Sequence, residues 1–178
     1  MNRAAFLDRD GVINQRPVEG EYITRWEDLH ILPGTATAIA LLNRVGFRVT
    51  VVTNQRCVAK GLLTASDLER MHDRMRNKLA AAGAIVDDVY YCPHDRQASC
   101  ECRKPSPGML VSAARRHQLD LAASWMIGDS EIDMEAGRSA GCKTARILKM
   151  GEMEQGQVDI FAPSLPEADR QILRVQLR

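Results

Sequence analysis

The sequence has no surplus of charge of either sign: Lys and Arg total 24 against 23 Asp and Glu in 178 residues. A nucleic-acid binder usually carries a basic excess or stripe, so that class is disfavoured. There is no apolar run long enough to span a bilayer. The amino terminus reaches Asp8 too soon for a secretory signal. Internal repeats and low-complexity segments are also missing. These absences lead to the expectation of a cytoplasmic protein, a monomer by default, with neither nucleic acid nor membrane as partner. At 45% hydrophobic, the chain can fill one core.

Short, apolar, non-alternating runs stand at Ala4–Leu7, Arg48–Thr53, Val86–Cys92, Trp125–Gly128 and Thr144–Leu148. Such runs suit strands covered on both faces. Helix signals lie between them. Pro33-Gly34 opens a helix that Gly46 closes. Thr64, with Asp67 three residues on, resembles a capping box, and its helix ends near Gly83. Ser106-Pro107 places proline at a first helical position. Glu131 to Ala140 is a further helix, stopped by Gly141. A short strand over Val158–Phe161 and a helix over Glu167–Val175 complete the chain. The rhythm predicts an α/β fold, a doubly wound parallel sheet with helices on both faces. Ligands of such sheets bind beyond the carboxyl ends of the strands.

The residues at those ends carry chemistry. Asp8-Arg9-Asp10-Gly11 follows the first strand. One carboxylate can attack phosphorus directly, and a second can protonate a leaving oxygen. Thr53-Asn54-Gln55 follows the second strand, a hydroxyl and amides able to bind phosphate oxygens. Arg103-Lys104-Pro105 supplies cations. Gly128-Asp129-Ser130-Glu131-Ile132-Asp133 follows the fourth strand, with two acids able to hold a metal ion and orient a lysine. Alone, each is explained by a polar turn. Four in chain order amount to what phosphoryl transfer needs.

A second metal signal is local. Cys92, His94, Cys100 and Cys102 form C-x-H-x5-C-x-C. Three thiolates and an imidazole are a closed structural zinc set. With no export signal, the crowded cysteines suggest metal over disulfides. Zinc here would fix where Arg103 and Lys104 point.

From Ala4 to about Leu148 the ordered motifs resemble those of the haloacid dehalogenase-like hydrolase superfamily. The resemblance implies a Rossmann-like fold with Asp8 as nucleophile and Asp10 as general acid and base. It implies Thr53 and Lys104 as stabilisers of the phosphoryl group. Mg2+ would be held by Asp8, Asp129 and the Asp10 carbonyl, with Ser130 and Asp133 behind them. Residues 1–178 would form a single phosphatase domain with its zinc loop at 92–102. About twenty residues separate Asp10 from the helix at Pro33, so there is no room for a cap domain. Closure falls to loops such as Pro17–Tyr22.

The zinc loop narrows the resemblance to heptose-bisphosphate phosphatases and histidinol-phosphatase domains. Phe6 to Asn14, Thr53-Asn54-Gln55, Val58-Ala59-Lys60-Gly61, Tyr91 to His94, and Cys102 to Pro105 running on to Pro107-Gly108-Met109 favour the first. That family implies a sugar bisphosphate as substrate, release of the C7 phosphate, and a heptose 1-phosphate for nucleotide-activated heptose and surface polysaccharides. Substrate contacts would come from Glu19, Gly20, Tyr22, Asn54, Gln55, Arg56 and Arg103. Arg103 would take the retained phosphate or the sugar. Arg56-Cys57 stands where the family commonly has a glycine, which predicts a differently shaped loop. The competing readings are a histidinol-phosphate phosphatase, a polynucleotide 3′-phosphatase disfavoured by charge, and a zinc-stabilised binding module without chemistry.

Overall fold

The computed structural model describes residues 2–176. Met1, Leu177 and Arg178, at the ends of the expected 1–178 domain, lie outside the described residues. The chain runs β1 (Arg3–Leu7), a single 3-10 turn (Trp26–Asp28), α1 (Thr35–Arg44), β2 (Phe47–Asn54), α2 (Ala65–Ala81) and β3 (Asp88–Cys92). It continues through α3 (Gly108–His117), β4 (Trp125–Gly128), α4 (Glu131–Ala140), β5 (Lys143–Ile147), β6 (Ile160–Ala162) and α5 (Leu165–Gln176).

Six strands form one parallel sheet in the order β3-β2-β1-β4-β5-β6. Alternation along β1 divides the core. Ala5 and Leu7 pack with α1, α2 and α5 side chains such as Ile39, Met75 and Ile172. Ala4 and Phe6 pack on the other face with Leu110 and Ala113 of α3 and Ala136 of α4. Helices therefore cover both faces, as parallel strands require.

The helix ends follow from local chemistry. The Thr64 hydroxyl accepts from the Asp67 N–H at 3.0 Å at the start of α2. At α4, Ser130 and Asp133 form a reciprocal capping box, and Gly141 ends the helix with φ of 83°. Pro107 caps α3 from just outside it, one residue earlier than expected, and Gly108 is the first helical residue. Neither Arg56 nor Cys57 has a positive φ. Cys57 is buried instead, so the loop accepts a side chain where a glycine was expected.

The sheet order reverses between β1 and β4, whose ends leave a crevice for a site. Among the described residues no cap domain is inserted over it, and no helix is long and apolar enough to cross a membrane.

Candidate active site

β1 and β4 pair in register, Leu7 beside Ile127, so Asp8 and Asp129 emerge side by side. The Asp8 N–H donates to the Ile127 carbonyl at 2.9 Å, which fixes where its carboxylate begins. Two glycines make the approach possible. A side chain on Gly128 would overlap Asp133, and one on Gly11, at φ +96°, would overlap the Asp129 carboxylate. Asp8, Asp129 and Asp133 are all buried, with ligand oxygens within 4.8 Å of one another.

Lys104 enters from the loop after β3. Asn54 pins its backbone, accepting from the Lys104 N–H at 3.1 Å and donating to its carbonyl at 3.0 Å. The buried ammonium lies 2.9 Å from Asp8 and 2.6 Å from Asp133 and donates to the Val52 carbonyl at 2.8 Å. Burial alone would lower its proton affinity, but Asp133 and Asp8 outweigh that and raise it. Lys104, and Arg16 paired with Asp129, leave the three acids one positive charge short. Burial pushes the Asp8 carboxyl up to about 7, against Lys104 and with help from Asp133, Asp129 and Asp10. Burial also raises Asp129, against the pull of Arg16 and, more weakly, of Lys149. Buried acids in excess of cations are a fitting place for a hard divalent ion with oxygen ligands.

Asp10 is held differently. Arg9, fully buried, donates from Nε at 3.0 Å and Nη2 at 3.1 Å to the two Asp10 oxygens. Asn14 donates at 2.9 Å and Gln55 at 3.1 Å. Burial would raise the Asp10 carboxyl, but Arg9 and these hydrogen bonds hold it below the ordinary carboxylate range. Gln55 is buried and also donates to Thr53 Oγ1 at 2.9 Å, so it ties Thr53 to Asp10. Behind Arg9 stands His72 of α2, 3.2 Å from Nη1. Burial and Arg9 drive its imidazole down to about 3, so it is a neutral acceptor.

The other expected contact residues have partners of their own or stand exposed. Arg56 pairs with Asp95 at 2.9 Å, and Lys60 lies 5.1 Å over the Tyr22 ring. Glu19 and Gly20 are exposed in the loop after β1. Arg103 donates to the His94 carbonyl at 3.1 Å. Sequence reasoning missed the Arg9–His72 support and the ion pair of Arg16 with Asp129. Arg9 lies within the Asp-x-Asp motif, which was the available signal. Arg16 and His72 had none.

In the loop after β3, Cys92 Sγ is 3.7 Å from Cys100 Sγ and 3.5 Å from His94 Nδ1, which is 3.2 Å from Cys102 Sγ. A tetrahedral zinc with Zn–S near 2.3 Å has S···S edges of about 3.7 Å. Without a cation the crowding is unfavourable. Burial and the neighbouring sulfurs push Cys102 up to about 12. The donor set and its spacing fit zinc.

The HAD-hydrolase-like family model matches residues 101–166. The chain is 41% identical over 149 residues to the D-glycero-beta-D-manno-heptose-1,7-bisphosphate 7-phosphatase of Pseudomonas putida, covering 84% of this chain and 83% of that one. It is 39% identical over 165 residues to the enzyme of the same name from Rhodopseudomonas palustris, covering 89% and 87%. A crystal structure of D,D-heptose 1,7-bisphosphate phosphatase from B. bronchiseptica, complexed with magnesium and phosphate, superposes with a TM-score of 0.86 at 34% identity. That match covers 97% of this chain and 99% of the other.

Proposed function

The chain belongs to the heptose-1,7-bisphosphate 7-phosphatase family of haloacid dehalogenase-like hydrolases, and from that premise we propose that it removes the C7 phosphate of D-glycero-D-manno-heptose 1,7-bisphosphate. The products are heptose 1-phosphate and inorganic phosphate. The product then enters nucleotide-activated heptose synthesis for lipopolysaccharide or another surface polysaccharide. Residues 1–178 act as one phosphatase domain, working in the cytoplasm as a monomer.

Asp8 attacks the C7 phosphorus and forms an aspartyl phosphate as the sugar oxygen leaves. Lys104 and Thr53 neutralise and hold the non-bridging oxygens of the moving phosphoryl group. Asp10 gives a proton to the leaving oxygen, then takes one from the water that hydrolyses the aspartyl phosphate. Asp8, Asp129 and the Asp10 carbonyl would hold Mg2+, with Asp133 and Ser130 behind them. When bound, the ion neutralises charge on the phosphoryl oxygens and favours the ionised form of Asp8.

Proton affinities matter to this scheme. Burial raises Asp8, while Arg9 and its neighbouring hydrogen bonds lower Asp10. The first step needs the opposite order. A dianionic phosphate arriving beside Asp10 raises its proton affinity and competes with the Arg9 clamp. Arg9 and His72 keep the side chain in place until then.

Zinc on Cys92, His94, Cys100 and Cys102 would hold the loop that delivers Arg103 and Lys104. Asn54, Gln55, Arg56, Glu19, Gly20 and Tyr22 border the site, and Arg103 meets the sugar.

The observation that carries this reading is the single buried cluster of Asp8, Lys104 and Asp129 at adjoining strand ends. The experiment is phosphate release with Mg2+ from heptose 1,7-bisphosphate, sugar monophosphates and histidinol phosphate. The bisphosphate should have the highest kcat/KM. A higher value for histidinol phosphate would overturn the substrate assignment.

A further inference from the structure

Gln55 borders the site, yet only 3% of its surface is exposed, which leaves little of it to meet a sugar. Its backbone is fixed by the sheet. The N–H donates to the Cys92 carbonyl at the end of β3 at 2.8 Å, and the carbonyl accepts from the Val58 N–H at 3.3 Å. The side chain is spent inside the protein. One amide nitrogen, Nε2, donates to Thr53 Oγ1 at 2.9 Å and to Asp10 Oδ2 at 3.1 Å. An amide nitrogen carries two hydrogens, so both are used.

A planar amide holds those hydrogens at a set angle, so Thr53 and the Asp10 carboxylate keep a set spacing. These are the groups that serve opposite parts of one phosphate, its non-bridging oxygens and its leaving oxygen. The Thr53 hydroxyl, having accepted the amide hydrogen, turns its own proton away from Gln55. That proton is then available to a phosphoryl oxygen.

The amide must face one way for this to work. Reversed, it would set its carbonyl oxygen against the Asp10 carboxylate. Cys57 favours the productive face. Its thiol, fully buried and a weak donor, donates to Gln55 Oε1 at 3.6 Å. Burial outweighs the nearby Arg9 and raises the thiol above its ordinary value, so it keeps the proton it donates. Cys57 stands where a glycine was expected, and a glycine has no such donor.

We propose that Gln55 is a positioning residue that sets Thr53 and Asp10 against the same phosphate, and that Cys57 holds its amide in the orientation this requires. Resting on the roles of Thr53 and Asp10 proposed above, this holds whichever sugar is bound. Gln55 acts through those two residues and touches no substrate atom.

The test is steady-state kinetics at saturating Mg2+ on wild type, Gln55→Met, Cys57→Ala, Cys57→Ser, Thr53→Ala and the Gln55→Met/Thr53→Ala double variant. Each is assayed on heptose 1,7-bisphosphate and on an aryl phosphate, with thermal unfolding as a folding control. Gln55→Met keeps the length of the side chain and removes its donors. It should lose roughly ten- to a hundredfold in kcat on the bisphosphate, with KM nearly unchanged. The aryl phosphate needs Thr53 but little protonation, so its loss should be smaller. In the Thr53→Ala background the same substitution should cost less than it does alone. Cys57→Ala should lose about two- to tenfold in kcat, and Cys57→Ser, which keeps a donor, should recover most of it. Should Gln55→Met fail to fold, the kcat–KM split of Cys57→Ala carries the same test. A rise in KM confined to the sugar substrate would make Gln55 a substrate contact and overturn the proposal. Full additivity with Thr53→Ala, or Cys57→Ser no more active than Cys57→Ala, would overturn it as well. Those outcomes leave the phosphatase reading intact. A wild type that releases phosphate from neither substrate would overturn that reading and this inference with it.

Discussion

The Lys104 ammonium lies 2.6 Å from the Asp133 carboxylate, with both side chains almost fully buried. One residue comes from the loop after β3 and the other from the first turn of α4, so the contact joins the two sides of the crevice. Asp8 completes the arrangement at 2.9 Å from the same nitrogen.

Removing Lys104 leaves these acids buried without their cation. Lys104→Ala should destabilise the ion-free protein by about 3–5 kcal/mol, as breaking one side of a buried pair does. Urea unfolding in the presence of a chelator measures it. A loss under 1 kcal/mol, the range of exposed pairs, would mean that the acids are already neutralised by protons.

Asp10→Asn should slow turnover of a sugar phosphate by roughly 10²–10⁴-fold, the range for a lost general acid. An aryl phosphate, whose leaving group needs little protonation, should lose less. Equal losses on the two would place Asp10 outside proton transfer.

Asp169 gives a pH signature. It is fully buried in α5, neither carboxylate oxygen has a hydrogen-bond partner among the described residues, and burial raises it from 3.8 to about 8. Between these values the folded protein keeps a proton that the unfolded chain releases. Stability attributable to this group therefore falls as pH rises from about 4 to about 8. Asp169→Asn should flatten that fall in urea titrations at pH 5 and pH 8. An unchanged slope would contradict it.

Protein purified without added metal should contain about one zinc per chain. Cys102→Ser should lower the zinc content, the melting temperature and kcat together. Full activity and an unchanged melting temperature in a zinc-free sample would refute the structural role.

Much of the fold was legible because its signals are local. Trp125–Gly128 is strand and Glu131–Ala140 is helix as expected, since a short apolar run and a capping pair act within a few residues. Pro107 was misplaced by one residue because proline is tolerated on either side of a helix start. The 3-10 turn at Trp26–Asp28 was not foreseen, because a single turn leaves no periodicity to read. At the site, acids at strand ends could be read in order. The partners of Arg16, 113 residues away, and of Arg9, 63 residues away, could not. Those pairings depend on how β1, β4 and α2 pack.

The central claim is covalent catalysis by Asp8, and the direct measurement is phosphate release from heptose 1,7-bisphosphate by wild type and Asp8→Asn. Circular dichroism checks that both are folded. The account predicts no turnover above background for Asp8→Asn, because an amide cannot form the acyl phosphate. Near-wild-type phosphate release from folded Asp8→Asn would contradict it.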